Sequence, residues 1–435
     1  MEISSIPGFA DEKTEIQFNG FWDWLVTYND IFALWQAQPS FIYLQSLIII
    51  GNLITLFHAL KNGGRFIQLW IGIIIHGLVI ETISYNLPNI DNFWHAQSPI
   101  IFLGRRLPLY IILIYVVFVY PAVIAVDRLK LPRWSEPFAA GLVVVLIDYP
   151  YDVMGVRLMH WTWHDTDPNI LDRHYYVPWN SFYFHASFTA SFTFWFHFSR
   201  FIVFGKTKKW NFTGFYLKEF GCTLIAAVLG MPGGVLLFIL LYHPLHDVFK
   251  IHSEITLFLL FSIFLSIIWL SFPKIINTTY ISTTKKTTNC VMLFYIFCYY
   301  IFFIGLAIFI DPASEISIGW HEPIGPCYEN SSMLNALGQT LYKRKYLCLT
   351  DNDESYFGWS CLSNGIPPKN GARWYTICGA PFINRVEYII ILLTSSIFGC
   401  SFFFKTLYSN NITNRKCNYD NKIPTTNIEV NHNHM

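Results

Sequence analysis

The chain of 435 residues is 53% hydrophobic and 18% aromatic, with 13% charged residues and a net charge of +1. A soluble domain carries about 25% charged residues, so this composition excludes an ordinary soluble globule and points to a lipid bilayer as solvent. The near-neutral balance gives no basic field, and with no phosphate-binding glycine loop in the sequence it excludes nucleic acid as a partner.

A spanning helix needs roughly 20 mostly apolar residues, and lipid cannot satisfy an open backbone. Nine stretches qualify: 42–60, 66–86, 107–126, 136–155, 181–203, 216–241, 255–273, 289–310 and 387–405. The expected fold is all-α, a polytopic membrane bundle of about nine transmembrane helices. Eight of them form a core over 42–310, and a cysteine-containing outer loop at 311–386 separates the ninth.

Residues 1–41 form an N-terminal outer segment with six acids against one base, Lys13. Trp22, Trp24, Phe32 and Trp35 suit a membrane interface; a poorly ordered tail is the alternative. The second span carries His76 and Glu81, with Glu81 about one turn below the outer surface. About 140° separates the two around a helix, so they are not expected to touch.

The fourth span ends with Asp148 and Asp152, four apart and on one helix face. Pro150 between them is expected to kink the helix. From Asp148 to His185 the chain holds four His, five Asp and three Trp between hydrophobic flanks. Ionisable groups beside lipid are costly, which makes this stretch the leading candidate site. The fifth span brings His185 back to the depth of the two aspartates.

The sixth span contains Gly230-Met-Pro-Gly-Gly234. A helix broken at mid-membrane is a transporter feature; a kink relieved by close helix packing is the favoured reading. The next link adds His243, His246, Asp247 and His252.

Lys and Arg number sixteen in the links 61–65, 127–135, 200–210 and 274–288 with the tail 405–435, against six in the opposite set. Cytosolic loops carry the excess, so the N-terminus is expected outside or in a lumen and the C-terminus in the cytosol, in a plasma membrane or endomembrane. The 311–386 loop then lies outside, where Cys327, Cys348, Cys361 and Cys378 are expected to form two disulfides in one of three connectivities. Asn330-Ser-Ser is a glycosylation sequon in that loop, whereas the sequons at Asn211, Asn277 and Asn411 fall on the cytosolic side. Residues 406–435 read as a disordered cytosolic tail.

Two chemistries suit the cluster. His160 and His164 share a face if their segment is helical, a metal-ligand spacing that His174 and Asp165 could complete around a divalent ion. Alternatively Asp148, Asp152 and Glu81, with His185, act as acid–base groups whose protons are retained by desolvation. Trp161, Trp163, Tyr175, Tyr176 and Trp179 would then wall an apolar substrate. The same tryptophans also fit a plain interfacial belt, and in that alternative the Asp and His residues only tie outer loops together by pairing with Arg105, Arg106, Arg157 and Arg173.

Glu81, Asp148, Trp161, Trp163, Pro178, Asn180 and Phe182 resemble the pattern of the carotenoid hydratase-type membrane proteins over residues 76–185. That resemblance implies hydration or related chemistry on an isoprenoid. The whole chain is similar to an uncharacterised group of animal multi-pass membrane proteins, which implies no activity. The expected function is thus a membrane-embedded enzyme acting on a lipid or isoprenoid from its outer face. A transporter or proton-coupled carrier is the alternative, and a receptor or scaffold built on the outer loop a third.

Overall fold

A computed structural model of the chain describes residues 6–9, 12–87, 90–164, 168–271, 284–335, 337–351 and 354–409. Asp165, Asn277, Asn411 and the tail from 410 lie outside these described residues. Among the described residues, helices α1 (Phe21–Leu25) and α2 (Ile31–Ala37) precede nine long ones: α3 (Pro39–Asn62), α4 (Arg65–Asn86), α5 (Leu109–Asp127), α6 (Glu136–Arg157), α7 (Trp179–Phe204), α8 (Tyr216–Leu237), α9 (Ser253–Ser271), α10 (Lys286–Phe309) and α11 (Arg385–Phe403).

Eight of the nine are long and apolar enough to cross a membrane; α8 qualifies through its π-helical continuation to Val248. The chain is therefore read as an integral membrane protein. Helix α7 has 26 residues but carries four Ser, two Thr, two His and an Asn, which lowers its hydropathy below that of the others. Its placement explains the polarity. It lies antiparallel beside α6, pairing His197 with Glu136, His185 with Asp148 and Ser181 with Asp152. A helix sheltered by protein can carry groups that lipid would reject. The α5 and α6 windows are 78% buried and those of α8, α9 and α11 only 28%, so α5 and α6 form the bundle centre.

The all-α expectation holds for the bundle and fails at one end, where a β-rich cap sits. Ile316–Trp320 pairs antiparallel with Trp374–Gly379, which also pairs with Phe357–Gly358. Both longer strands are β-branched and aromatic, the residues that pack best on a pleated surface. A hairpin joins Asn330–Leu334 to Thr340–Arg344. The links between α4 and α5 and between α6 and α7 enter the same cap: Trp94–His95 pairs with Trp161–Thr162, and Ala96 bridges to Gly319. The N-terminal segment is ordered there too, with Lys13 bridged to Trp374 and Thr376 donating to the Gly8 carbonyl. Trp22 and Phe32 on α1 and α2 are exposed.

Arg157, the last residue of α6, fastens cap to bundle by donating to the carbonyls of Tyr356, Ala380 and Pro381. The four loop cysteines pair as Cys327–Cys348 and Cys361–Cys378, which selects one of the three connectivities.

The other links gather at the opposite end around a buried ionic network. Lys209 bonds Asp127 and Glu136, Glu219 accepts from Arg200, and Arg65 lies 3.4 Å from Glu219. Among the described residues, the links after α3, α5 and α7 thus lie opposite those that enter the cap. At Gly230–Gly234 helix α8 is unbroken. A Cβ at Gly230 would strike the His76 ring, one at Gly233 the Ser191 hydroxyl and one at Gly234 the Phe188 ring. These glycines serve close helix packing. Departure from α geometry comes later, over Phe238–Val248.

Candidate functional site

Helix α6 runs through Pro150 without a break. Proline has no N–H and leaves the carbonyl four residues earlier without its helical donor. That carbonyl, Leu146, accepts instead from the Tyr300 hydroxyl at 2.8 Å, and Ile147 accepts from Tyr299 at 2.8 Å. Two tyrosines of α10 therefore satisfy the backbone directly before Asp148 and fix the turn that presents Asp148 and Asp152 on one face.

That face meets α7. His185 Nε2 lies 3.2 Å from Asp148 Oδ1, and Ser181 Oγ donates to Asp152 Oδ2 at 3.0 Å. Ser181 and His185 are four apart, so each helix contributes one turn of polar groups at matching height. The approach is close because a Cβ at Gly141 would collide with the Ala186 carbonyl oxygen. Both aspartates are fully buried. Neither Asp148 oxygen nor Asp152 Oδ1 has a hydrogen bond of normal geometry. Asp148, Asp152 and His185 each offer a donor atom, and the three atoms lie within 4.8 Å of one another.

Glu81 on α4 belongs to the same neighbourhood. Tyr115 on α5 donates to its Oε1 at 2.6 Å, and Gly77, one turn earlier, makes room for the Tyr115 ring. Tyr85 stands beside it one turn later. These groups border a cavity of about 340 Å³ between α4, α5, α6, α7 and α8. Its walls are mainly apolar, with Ile80, Ile111, Ile114, Phe118, Phe184, Phe188, Met231 and Phe238; Glu81, Asp152, Ser181, Asn180 and His185 supply polar atoms. Asp148 lies behind Asp152 and His185. At the cap end Trp161, Trp163, His95 and the strand end Met333–Asn335 border the cavity. Neither His95 nitrogen is hydrogen-bonded, and burial pushes the ring down to about 3, so it is neutral at physiological pH.

Of the expected meeting around one chamber, Glu81, Asp152 and His185 border the cavity, while Asp148 reaches it only through His185. The expected gathering of His160, His164 and His174 is not present. The helical face expected at 160–164 is corrected: Trp161–Thr162 is a strand, and each histidine goes its own way in the cap. His160 Nε2 bonds Ser40 Oγ at 2.8 Å, which in turn donates to Glu315. His164 bonds Thr162 at 2.9 Å and His321 at 3.0 Å, and its Nδ1 lies 3.5 Å from Glu354. His174 bonds the Tyr149 hydroxyl at 3.0 Å. Burial holds His160 and His164 at about 3 and lowers His174 as well. Among the described residues, the cluster with metal-ligand geometry is Asp148, Asp152 and His185.

Sequence reasoning missed Ser181, Tyr115, Tyr299, Tyr300 and Asn335. Only Ser181 carried a signal, its four-residue offset from His185. A second cleft of about 470 Å³ runs along the cap between Arg157, Arg173, Tyr175, Arg344, Glu354 and Glu387.

No curated protein and no solved structure matches the chain. The similarity to carotenoid hydratase-type proteins is not shown by these comparisons. A family model described as "Domain of unknown function (DUF7802)" matches residues 12–408. With nearly the whole sequence covered, the chain belongs to the DUF7802 family.

Proposed function

We propose that this protein is a nine-span membrane enzyme that takes an apolar lipid, of the isoprenoid or acyl-chain type, into the cavity beneath its cap and moves protons on it. The observation that carries this reading is the lining itself. Apolar walls of about 340 Å³ fall within the usual size of ligand sites, roughly 300–1,000 Å³. Glu81, Asp152 and His185 converge on that volume from three helices. A carboxyl and an imidazole set into an apolar site are suited to general acid–base work.

In this reading α7 is the ninth crossing, supported by its matched pairing with α6 along its length. The cap faces outward or into a lumen, because the opposite end carries the excess of Lys and Arg. Exposed Phe21, Trp22 and Phe32 suit an interfacial anchor.

The test is extraction and mass spectrometry of lipid from the purified full-length protein, beside Ile114→Trp, which fills the cavity, and Glu81→Gln with Asp152→Asn. Expected are a co-purifying apolar lipid, its loss in Ile114→Trp, and accumulation of unconverted lipid in the carboxyl variants. Recovery of the same lipids from wild type and Ile114→Trp would overturn the binding reading. A bound lipid left unaltered by wild type, together with proton flux in vesicles that Asp152→Asn abolishes, would replace the enzyme with a carrier.

A further inference from the structure

We propose that Asp148, Asp152 and His185 form the protein ligands of one divalent transition-metal ion, held at the wall of the cavity with its remaining positions turned toward the lumen. The first argument is spacing. Ligand atoms about 2.0–2.2 Å from a metal stand roughly 3–4 Å apart, and one donor atom from each of these residues lies within 4.8 Å of the others. Small rotamer adjustments on two fixed helices close that difference.

The second argument is charge. Two fully buried carboxyl groups lie one helical turn apart, and among the described residues neither forms an ion pair with a lysine or arginine. Isolated buried charge is not tolerated; it is neutralised, paired or bound to metal. Two carboxylates and a neutral imidazole carry a charge of minus two, which a divalent cation cancels. The third argument is the state of the oxygens. Both oxygens of Asp148 and Oδ1 of Asp152 have no hydrogen bond of normal geometry, whereas Asp152 Oδ2 accepts from Ser181. This is the arrangement in which a neighbouring hydroxyl orients a ligand and leaves its other oxygen for the ion.

The donor set of two oxygens and one nitrogen suits zinc, manganese or ferrous iron better than calcium, which takes more oxygen ligands. Sites with three protein ligands and an open position are the ones that act on a bound molecule. Here Asp152 and His185 border the cavity and Asp148 lies behind them, so the open positions face whatever the cavity holds. Only this last step rests on the proposed function; the existence of the ion does not.

The experiment is metal analysis of the full-length protein purified in detergent, first as isolated and then stripped with chelator and reloaded separately with Zn2+, Mn2+ and Co2+. Expected is one equivalent of one ion, with visible d–d absorption for the Co2+ form. Binding should be lost in His185→Ala and in the Asp148→Asn, Asp152→Asn double variant. Ser181→Ala should weaken affinity by about 10-fold, the effect of removing an orienting partner. His174→Ala, a histidine away from the cluster, should leave the ion in place. Monodispersity on gel filtration identifies variants that fold.

A folded wild type that takes up none of the three ions overturns the proposal; the two carboxyls then share protons. So does stoichiometric metal that survives in the folded double variant. The Ile114→Trp variant separates the two proposals: metal retained with lipid lost supports both, while lipid bound by a protein that takes no metal sinks this inference and leaves the cavity reading intact.

Discussion

Asn335 of the cap donates from Nδ2 to Oδ2 of Asp247, on the π-helical end of α8, at 2.7 Å. The same aspartate accepts from His243 at 2.9 Å and from His246 at 2.7 Å. Asn335 also holds its own turn, accepting at Oδ1 from the backbone of Leu337 and Gln339. Met333, Leu334 and Asn335 border the cavity together with His243, so this bond fastens a lid strand to its rim. Its Nδ2 donates to Gln339 Oε1 as well, at 3.0 Å, so Asn335→Ala removes four bonds to one side chain. We expect a loss of about 1–3 kcal/mol in stability, in line with stranding a buried polar partner. Hydrogen exchange should rise over 330–344 before it rises in the helices. Unchanged protection in that segment would mean the strand is held by something other than Asp247.

The cap should be acid-labile. Burial holds His160, His164 and His95 at about 3 and His321 well below its ordinary value, and all four sit in the cap at 6% exposure or less. In the unfolded chain these rings titrate near 6.5. Where a group binds protons more readily unfolded than folded, stability falls as pH drops. Their contribution is therefore fully present above about 6.5 and is lost progressively toward 3. Glu315 has the opposite sign: burial raises it to about 7, so its contribution is present below about 4.5 and is lost as pH rises to 7. Four histidines outweigh one glutamate. Melting followed by tryptophan fluorescence should show Tm falling from pH 7 to pH 5, and His321→Gln should flatten that fall. A Tm that rises on acidification would show that these rings are not neutral in the fold.

The bundle and its polar layer were legible because both follow from periodicity and from the cost of charge in lipid. Asp148 and Asp152 four apart, and the return of the chain at His185, were enough to place three helices around one level. The destinations of His160, His164 and His174 were not legible. Their partners, Ser40, Glu315, His321, Glu354 and Tyr149, lie on other elements. A spacing rule written for a helix also has no meaning in a segment that pairs as a strand with Trp94–His95. The cap's sheet escaped notice for a related reason. Its strands are short, Ile316–Trp320 and Trp374–Gly379 stand far apart in sequence, and their register depends on a partner more than 50 residues away. Pro150 lies inside a continuous α6, and what satisfies the carbonyls before Asp148, two tyrosine hydroxyls from α10, is again a tertiary fact.

Gly141 offers a test of how the site is positioned. A methyl group there would overlap the Ala186 carbonyl oxygen, a backbone atom that cannot rotate away. Gly141→Ala must therefore push α6 from α7, two turns from Asp148. Overpacking of this kind costs typically 1–3 kcal/mol. The same separation should lengthen the His185–Asp148 and Ser181–Asp152 contacts, so any ligand or ion held there should bind less tightly although no contacting side chain has changed. Gly305→Ala, at a helical glycine where an added Cβ meets nothing within 4 Å, is the matched control and should be neutral or mildly stabilising. Equal behaviour of the two variants in melting and binding would show that the α6–α7 approach does not set the site.

Orientation can be settled with two asparagines. Asn330 heads a sequon at the start of the cap hairpin, where it is exposed and paired in register with Arg344. Asn211 heads another at the opposite end, beside Arg200, which donates to its carbonyl at 2.6 Å. Sequon glycosylation marks the translocated side of a secretory membrane. If the cap is outside or lumenal, glycosidase treatment should shift the mobility of wild type and of Asn211→Gln but not of Asn330→Gln. The two cap disulfides point the same way, because such bonds persist in oxidising compartments. Removal of the second of them by Cys361→Ser with Cys378→Ser should cost about 2–4 kcal/mol for a loop of this length. Glycan on Asn211 with none on Asn330 would invert the protein in its membrane. It would place the cavity mouth on the cytosolic side, where substrate would have to arrive from cytosolic lipid metabolism.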